Sequence, residues 1–84
     1  MSSRVFTELL DGLRTEVRRV TGEDLPVIEW TNDTREPLDR RWTMKFVTRD
    51  NEAVATKQSW TYVANTGEGC LRLAFEAWKE RRPW

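Results

Sequence analysis

The stretch Arg41-Trp42-Thr43-Met44-Lys45-Phe46, answered further on by Ser59-Trp60-Thr61-Tyr62, decides the fold. Large apolar side chains at 42, 44 and 46 alternate with polar ones, and Trp60 and Tyr62 resume the alternation. A period of two belongs to a β-strand with one buried face. Residues 41 to 63 therefore read as an amphipathic hairpin. Its strands run from about Arg40 to Thr48 and from about Ala53 to Ala64, with Asp50 and Asn51 in the turn. A two-residue loop would pair Trp42 with Ser59 and send Trp60 to the opposite face. A three-residue loop, Asp50 to Glu52, pairs Trp42 with Trp60, Met44 with Gln58 and Phe46 with Thr56. This second register gathers the aromatics on one face, and a one-residue slip is costly when a face is buried, so it is the one expected.

Helical periods flank the hairpin. With Leu13 as the zero of a helical wheel, Phe6, Leu9, Leu10, Val17 and Val20 fall within about 60° of it. Arg4, Glu8, Asp11, Arg14, Thr15 and Arg18 take the far side. The pattern predicts a helix over 3–21, capped by Ser2 or Ser3 and stopped by Gly22 and Pro26. Gly12 weakens it by about 1 kcal/mol relative to Ala. Residues 27 to 32 read as a first strand, with Ile28 and Trp30 on one side. Asn32 to Asp39, with Pro37, is a polar loop. A second helix is expected over 67–82, with Asn65 or Thr66 as N-cap and Leu71, Ala74, Phe75 and Trp78 as its buried stripe.

The order is α-β-β-β-α. Three antiparallel strands with one apolar face need cover, so both helices should pack on that face. The expected architecture is a single α+β domain over residues 1–84, a two-layer sandwich. Eighty-four residues bury little surface, but five Trp, three Phe and one Tyr supply a core without metal or disulfide. Cys70 is alone and is expected to be a reduced thiol near the core. No apolar run reaches the ~20 residues of a membrane span, and residues 1–19 lack a signal-peptide core. The expected location is the cytoplasm, with no membrane partner.

Fourteen basic and fourteen acidic residues balance, which argues against a dedicated nucleic-acid clamp and against an acidic DNA mimic. There is no histidine, so acid–base work would fall to carboxylates or lysines. Glu23-Asp24 in a turn, and Glu36 and Asp39 beside Arg35, Arg40 and Arg41, read as solvated groups. Gly67-Glu68-Gly69 is too short for a phosphate loop, and metal-ligand spacing is lacking. The expectation is a non-enzyme without cofactor or metal.

Two surfaces remain. In the expected register Arg41, Thr43, Lys45 and Arg49 lie beside Ala55, Lys57, Ser59 and Thr61 on the outer sheet face. That makes a flat basic surface suited to an acidic protein patch or to phosphates. It carries no aromatic platform for single-stranded RNA. On the second helix, Leu73 falls about 200° from Leu71, flanked by Cys70 and Ala77, a small apolar strip beside Trp84 that suits a partner or a homodimer contact. Lys79, Arg81 and Arg82 suit the negative end of the helix dipole.

The order α-β-β-β-α resembles that of double-stranded-RNA-binding domains. That family starts its last helix with a basic segment, whereas this chain reads Thr66-Gly67-Glu68-Gly69-Cys70-Leu71-Arg72, so the resemblance stops at topology and carries no functional residue over. The order, size and tryptophan content also look like those of small phage-encoded proteins that inhibit host machinery, including some anti-CRISPR proteins. The expected function is therefore a protein-binding module, a phage- or mobile-element-type inhibitor of a host protein complex acting by surface occlusion. Its contacts are expected at Arg41, Lys45, Arg49 and Lys57, then Leu73 and Trp84. The alternative is a nucleic-acid-binding domain using the same basic face.

Overall fold

A computed structural model of the chain describes residues 3–49 and 56–84. Its elements are α1 (Ser3–Thr21), β1 (Glu29–Asn32), a 3-10 turn (Leu38–Arg40), β2 (Trp42–Arg49), β3 (Lys57–Ala64) and α2 (Gly67–Lys79). The sheet is antiparallel in the order β1-β2-β3, and the helices pack on it, so the expected α-β-β-β-α sandwich stands. No described helix is long and apolar enough to cross a membrane.

Period two does what it should in β2. Met44, Phe46 and Thr48 are buried, while Lys45 and Val47 are exposed. The register differs from expectation. Phe46 lies opposite Trp60, Met44 opposite Tyr62 and Trp42 opposite Ala64, four residues along from the pairing Trp42–Trp60. The slip is even, so every side chain keeps its face. The ladder closes on Arg49 opposite Lys57. The expected loop, Asp50 to Glu52, lies outside the described residues.

The register is decided by α2. Trp78 is completely buried and its indole N–H donates to the Tyr62 hydroxyl at 2.9 Å. Trp60 meets it edge-on with ring centroids 5.0 Å apart, and Phe46 lies at 6.0 Å. The Trp60 indole donates to Thr48 Oγ1 at 2.9 Å. Both indoles thus find apolar contact and a partner for the N–H. Leu9, Leu13, Val17 and Val20 of α1, with Cys70, Leu71 and Ala74 of α2, complete the core.

The helix ends follow from capping. Gly22 takes a positive φ of 78° and donates its N–H to Arg18 O at 2.8 Å, the glycine-terminated end expected of α1. The N-cap expected at Ser2 or Ser3 involves atoms outside the described residues. Thr66, not Asn65, caps α2, its hydroxyl accepting from the Gly69 N–H at 2.9 Å. A Cβ on Gly69 would stand 3.0 Å from the Ala64 Cβ, so this glycine serves the close approach of α2 to β3. The second helix stops at Lys79 rather than 82. Pro83 drives the residue before it out of helical geometry, and Arg19 from α1 takes the carbonyls of Trp78, Lys79 and Arg81. In return the Trp84 N–H donates to Val20 O at 2.8 Å, so each helix end is closed partly by the other's segment.

Burial pushes the Cys70 thiol above its ordinary value of 9.0 and the Tyr62 hydroxyl above its ordinary value of 10.0. Both are neutral when protonated. As the pH rises the unfolded chain ionises first and binds fewer protons, so stability is full below the unfolded values and falls above them. Urea midpoints should be level from about pH 7 to 8.5 and drop progressively above about pH 9. Tyr62→Phe should flatten the upper part of that decline.

Candidate functional site

The outer sheet face does not carry a cluster of free cations. Lys45 and Lys57 are exposed there. Lys45 stands opposite Glu29 on one side and Thr61 on the other, a cross-strand pair of opposite charge. Arg49 faces Lys57 across the ladder, a like-charge pairing that the guanidinium avoids. Strand β1 ends opposite Lys45, leaving the flank of β2 beyond it uncovered. Arg49 turns through that gap, donates to Thr21 O at 3.2 Å and lies 3.5 Å from a Glu23 carboxylate oxygen. It thereby caps the negative end of α1. Arg41 lies outside β2, after the 3-10 turn, and donates to Glu36 O at 3.4 Å. Val47 and Val63 interrupt the face. Ala55 lies outside the described residues. Of the four predicted cations, Lys45 and Lys57 lie exposed on the sheet, Lys45 opposite Glu29, while Arg41 and Arg49 are tied elsewhere.

The predicted strip on α2 is not assembled either. Cys70 is fully buried and its thiol points to Trp42 O at 3.4 Å. Leu73 is 49% exposed and Trp84 38%, but Trp84 leans on Trp78 in a tilted contact, ring centroids 6.4 Å apart. Trp78 and Leu73 project about 140° apart on a helix. Arg81 lies over Trp60 at 4.2 Å and over Trp78 at 5.0 Å, closing the same end of the core by cation–π contact. In the polar loop, the Arg35 guanidinium and N–H hold the Asp33 carboxyl below its ordinary range.

An apolar groove stands elsewhere, between α1 and β1. Phe6, Leu10 and Arg14 recur at a spacing of four along α1 and form one wall. Leu25 to Ile28 and Trp30 form the other, around a cleft of about 330 Å³. Phe6 and Trp30, whose ring centroids are 5.8 Å apart, are shared with a second cleft of about 350 Å³ closed by Trp42, Thr66 and Gly67. A Cβ on Gly67 would lie 3.5 Å from the Trp30 ring, an ordinary contact distance, so the start of α2 packs directly beside the indole. All three rings are only partly buried. Val27, on the lip, is 93% exposed.

Periodicity places Phe6 and Leu10 in the buried stripe of α1, Arg14 on its solvent side and Trp30 beside Ile28 on one side of a strand, and so does not reveal the groove. Phe6, Leu9, Leu10 and Leu13 take the ordinary i, i+3, i+4, i+7 spacing of a buried stripe, so no local signal separates the groove wall from the core.

No family model matches the chain, and neither a curated protein nor a solved structure matches it significantly.

Proposed function

We propose that this chain is a protein-binding module that acts by occupying a partner's surface, and that it docks through the groove at Phe6, Trp30 and Trp42. One observation carries this reading. Three aromatic rings from three different elements leave two adjoining apolar clefts open to solvent. Contiguous exposed apolar surface with aromatic walls costs solubility unless something covers it, and aromatic side chains dominate binding hot spots. The basic face and the α2 strip, by contrast, are divided by Glu29, by the tethering of Arg49 and by the burial of Cys70. Inhibition of a host complex is the form of occlusion that a small domain suits.

The test is capture of partners by the tagged chain from a lysate, with and without nuclease, with two variants alongside. Val27→Asp alters a nearly fully exposed side chain on the groove lip and should leave the unfolding midpoint unchanged. It should cut retention of a stoichiometric partner about tenfold, the effect of losing roughly 1.4 kcal/mol. Lys45→Glu with Lys57→Glu should retain the partner. Loss in the lysine variant with retention in Val27→Asp would reverse the assignment. Recovery of nucleic acid alone, with steep salt dependence, would move the chain to the nucleic-acid class.

A further inference from the structure

We infer that the occupant of the groove is an extended segment of a partner protein, which joins the sheet as a fourth strand along β1 and places an apolar side chain among Phe6, Trp30 and Trp42. This rests on the docking mode proposed above and names its chemistry.

The backbone of β1 specifies an extended chain. The Asp33 N–H donates to Arg41 O at 2.9 Å, and 33 and 41 continue the β1–β2 register. In an antiparallel ladder alternate residues turn their N–H and C=O toward the same neighbour. Thr31 and Glu29 therefore bond β2, and Trp30 and Asn32 direct their backbone groups to the open side. Among the described residues no strand lies beyond β1, and its residues are exposed or half-buried. An open edge of this kind pairs with an added strand, whose main chain supplies affinity while pockets for alternate side chains supply selectivity. Both apolar clefts border this strand, on the side that Trp30 faces. Alternate side chains of an added strand would stand beside Trp30 on that side, over one cleft and then the other.

The charge of the segment follows from Arg14. The other arginines of α1 are held: Arg4 by Glu8, Arg18 by Asp24 and Arg19 by Glu16. Arg14 has no ion-pair partner among the described residues and lines the cleft about two helical turns along α1 from Phe6. A carboxylate on the incoming segment meets it there. The fitting ligand is thus a strand with apolar residues at alternate positions and an acidic residue toward one end. The opposite edge, β3, is longer, but α2 packs over its inner face and Lys57 sits at its start.

The experiment is selection of a random decapeptide display library on the full chain, followed by synthesis of the strongest binder. Enriched sequences should alternate apolar and polar residues and include Asp or Glu. The synthetic peptide should shift the amide resonances of residues 28–32. Backbone N-methylation at positions of one parity should weaken it about fivefold or more per site, the effect of a lost hydrogen bond, and at the other parity much less. Arg14→Glu should weaken it about threefold or more, and added salt should narrow the gap between variant and wild type. Several outcomes overturn the strand addition: a 3.6-residue apolar period, equal sensitivity at both parities, shifts confined to β3 or the outer face, or no enrichment. The Val27→Asp capture result judges the docking mode separately. Groove-dependent capture without strand-type peptides would retain the groove and reject the fourth strand.

Discussion

Trp78→Ala should leave the chain largely unfolded at room temperature. Trp78 is the largest side chain in the core and has no exposed surface. Removing a buried tryptophan costs about 3–5 kcal/mol in lost transfer energy and residual cavity. The change also strips the Tyr62 hydroxyl of the donor at 2.9 Å, adding about 1 kcal/mol. An 84-residue domain holds on the order of 4–13 kcal/mol in total, so the loss rivals the whole stability. Trp60, Phe46 and Trp84 all lean on this ring, and collapse of one into the space displaces the others. Far-UV circular dichroism through a urea titration should show no folded baseline, or a midpoint lowered by about 2 M or more. Trp78→Phe should fall between variant and wild type. A midpoint within about 0.5 M of wild type for the alanine variant would mean that the sheet register does not depend on α2.

Gly12→Leu should destabilise the protein by about 1–3 kcal/mol, although leucine is the better helix former by nearly 1 kcal/mol. The glycine sits where α1 meets α2. A Cβ placed on it would lie 3.0 Å from the tip of the Phe75 ring and 3.1 Å from the adjacent ring carbon. Lys79 covers that ring from another direction, 4.8 Å from its centroid. A branched side chain at 12 therefore forces Phe75 aside or separates the helices. Phe75→Ala in the Gly12→Leu background should recover most of the loss, because the leucine then fills the space the ring vacates. The four urea midpoints of the double-mutant cycle measure this coupling. Additive effects would show that the two positions do not compete for the same volume.

Legibility from sequence follows the length scale of each interaction. The helix over 3–21 was readable because its stripe, cap glycine and following proline are local. Gly12 looked like a mere weakness, since nothing local says that Phe75, 63 positions away, needs the room. The end of α2 was misplaced by three residues because Arg19 and Pro83 act together on it, and one of them comes from another helix. The alternation puts Lys45 and Lys57 off the core, where they are exposed, but gives no sign of where Arg41 and Arg49 go. Their use was not readable, since the gap through which Arg49 reaches Thr21 exists only because β1 stops opposite Lys45. The groove escaped for the same reason: an apolar stripe announces burial but not whether enough structure exists to supply it.

Alone, the sequence determined which face the residues of β2 and β3 occupy, because alternation at Trp42, Met44, Phe46, Trp60 and Tyr62 admits one parity. It could not choose among registers of that parity, since a slip of two or four residues returns every side chain to the same side. The tertiary structure made that choice. Trp78 descends from α2 with an N–H that must be satisfied and a ring that must be enclosed, and the pairing of Phe46 with Trp60 and Met44 with Tyr62 delivers both.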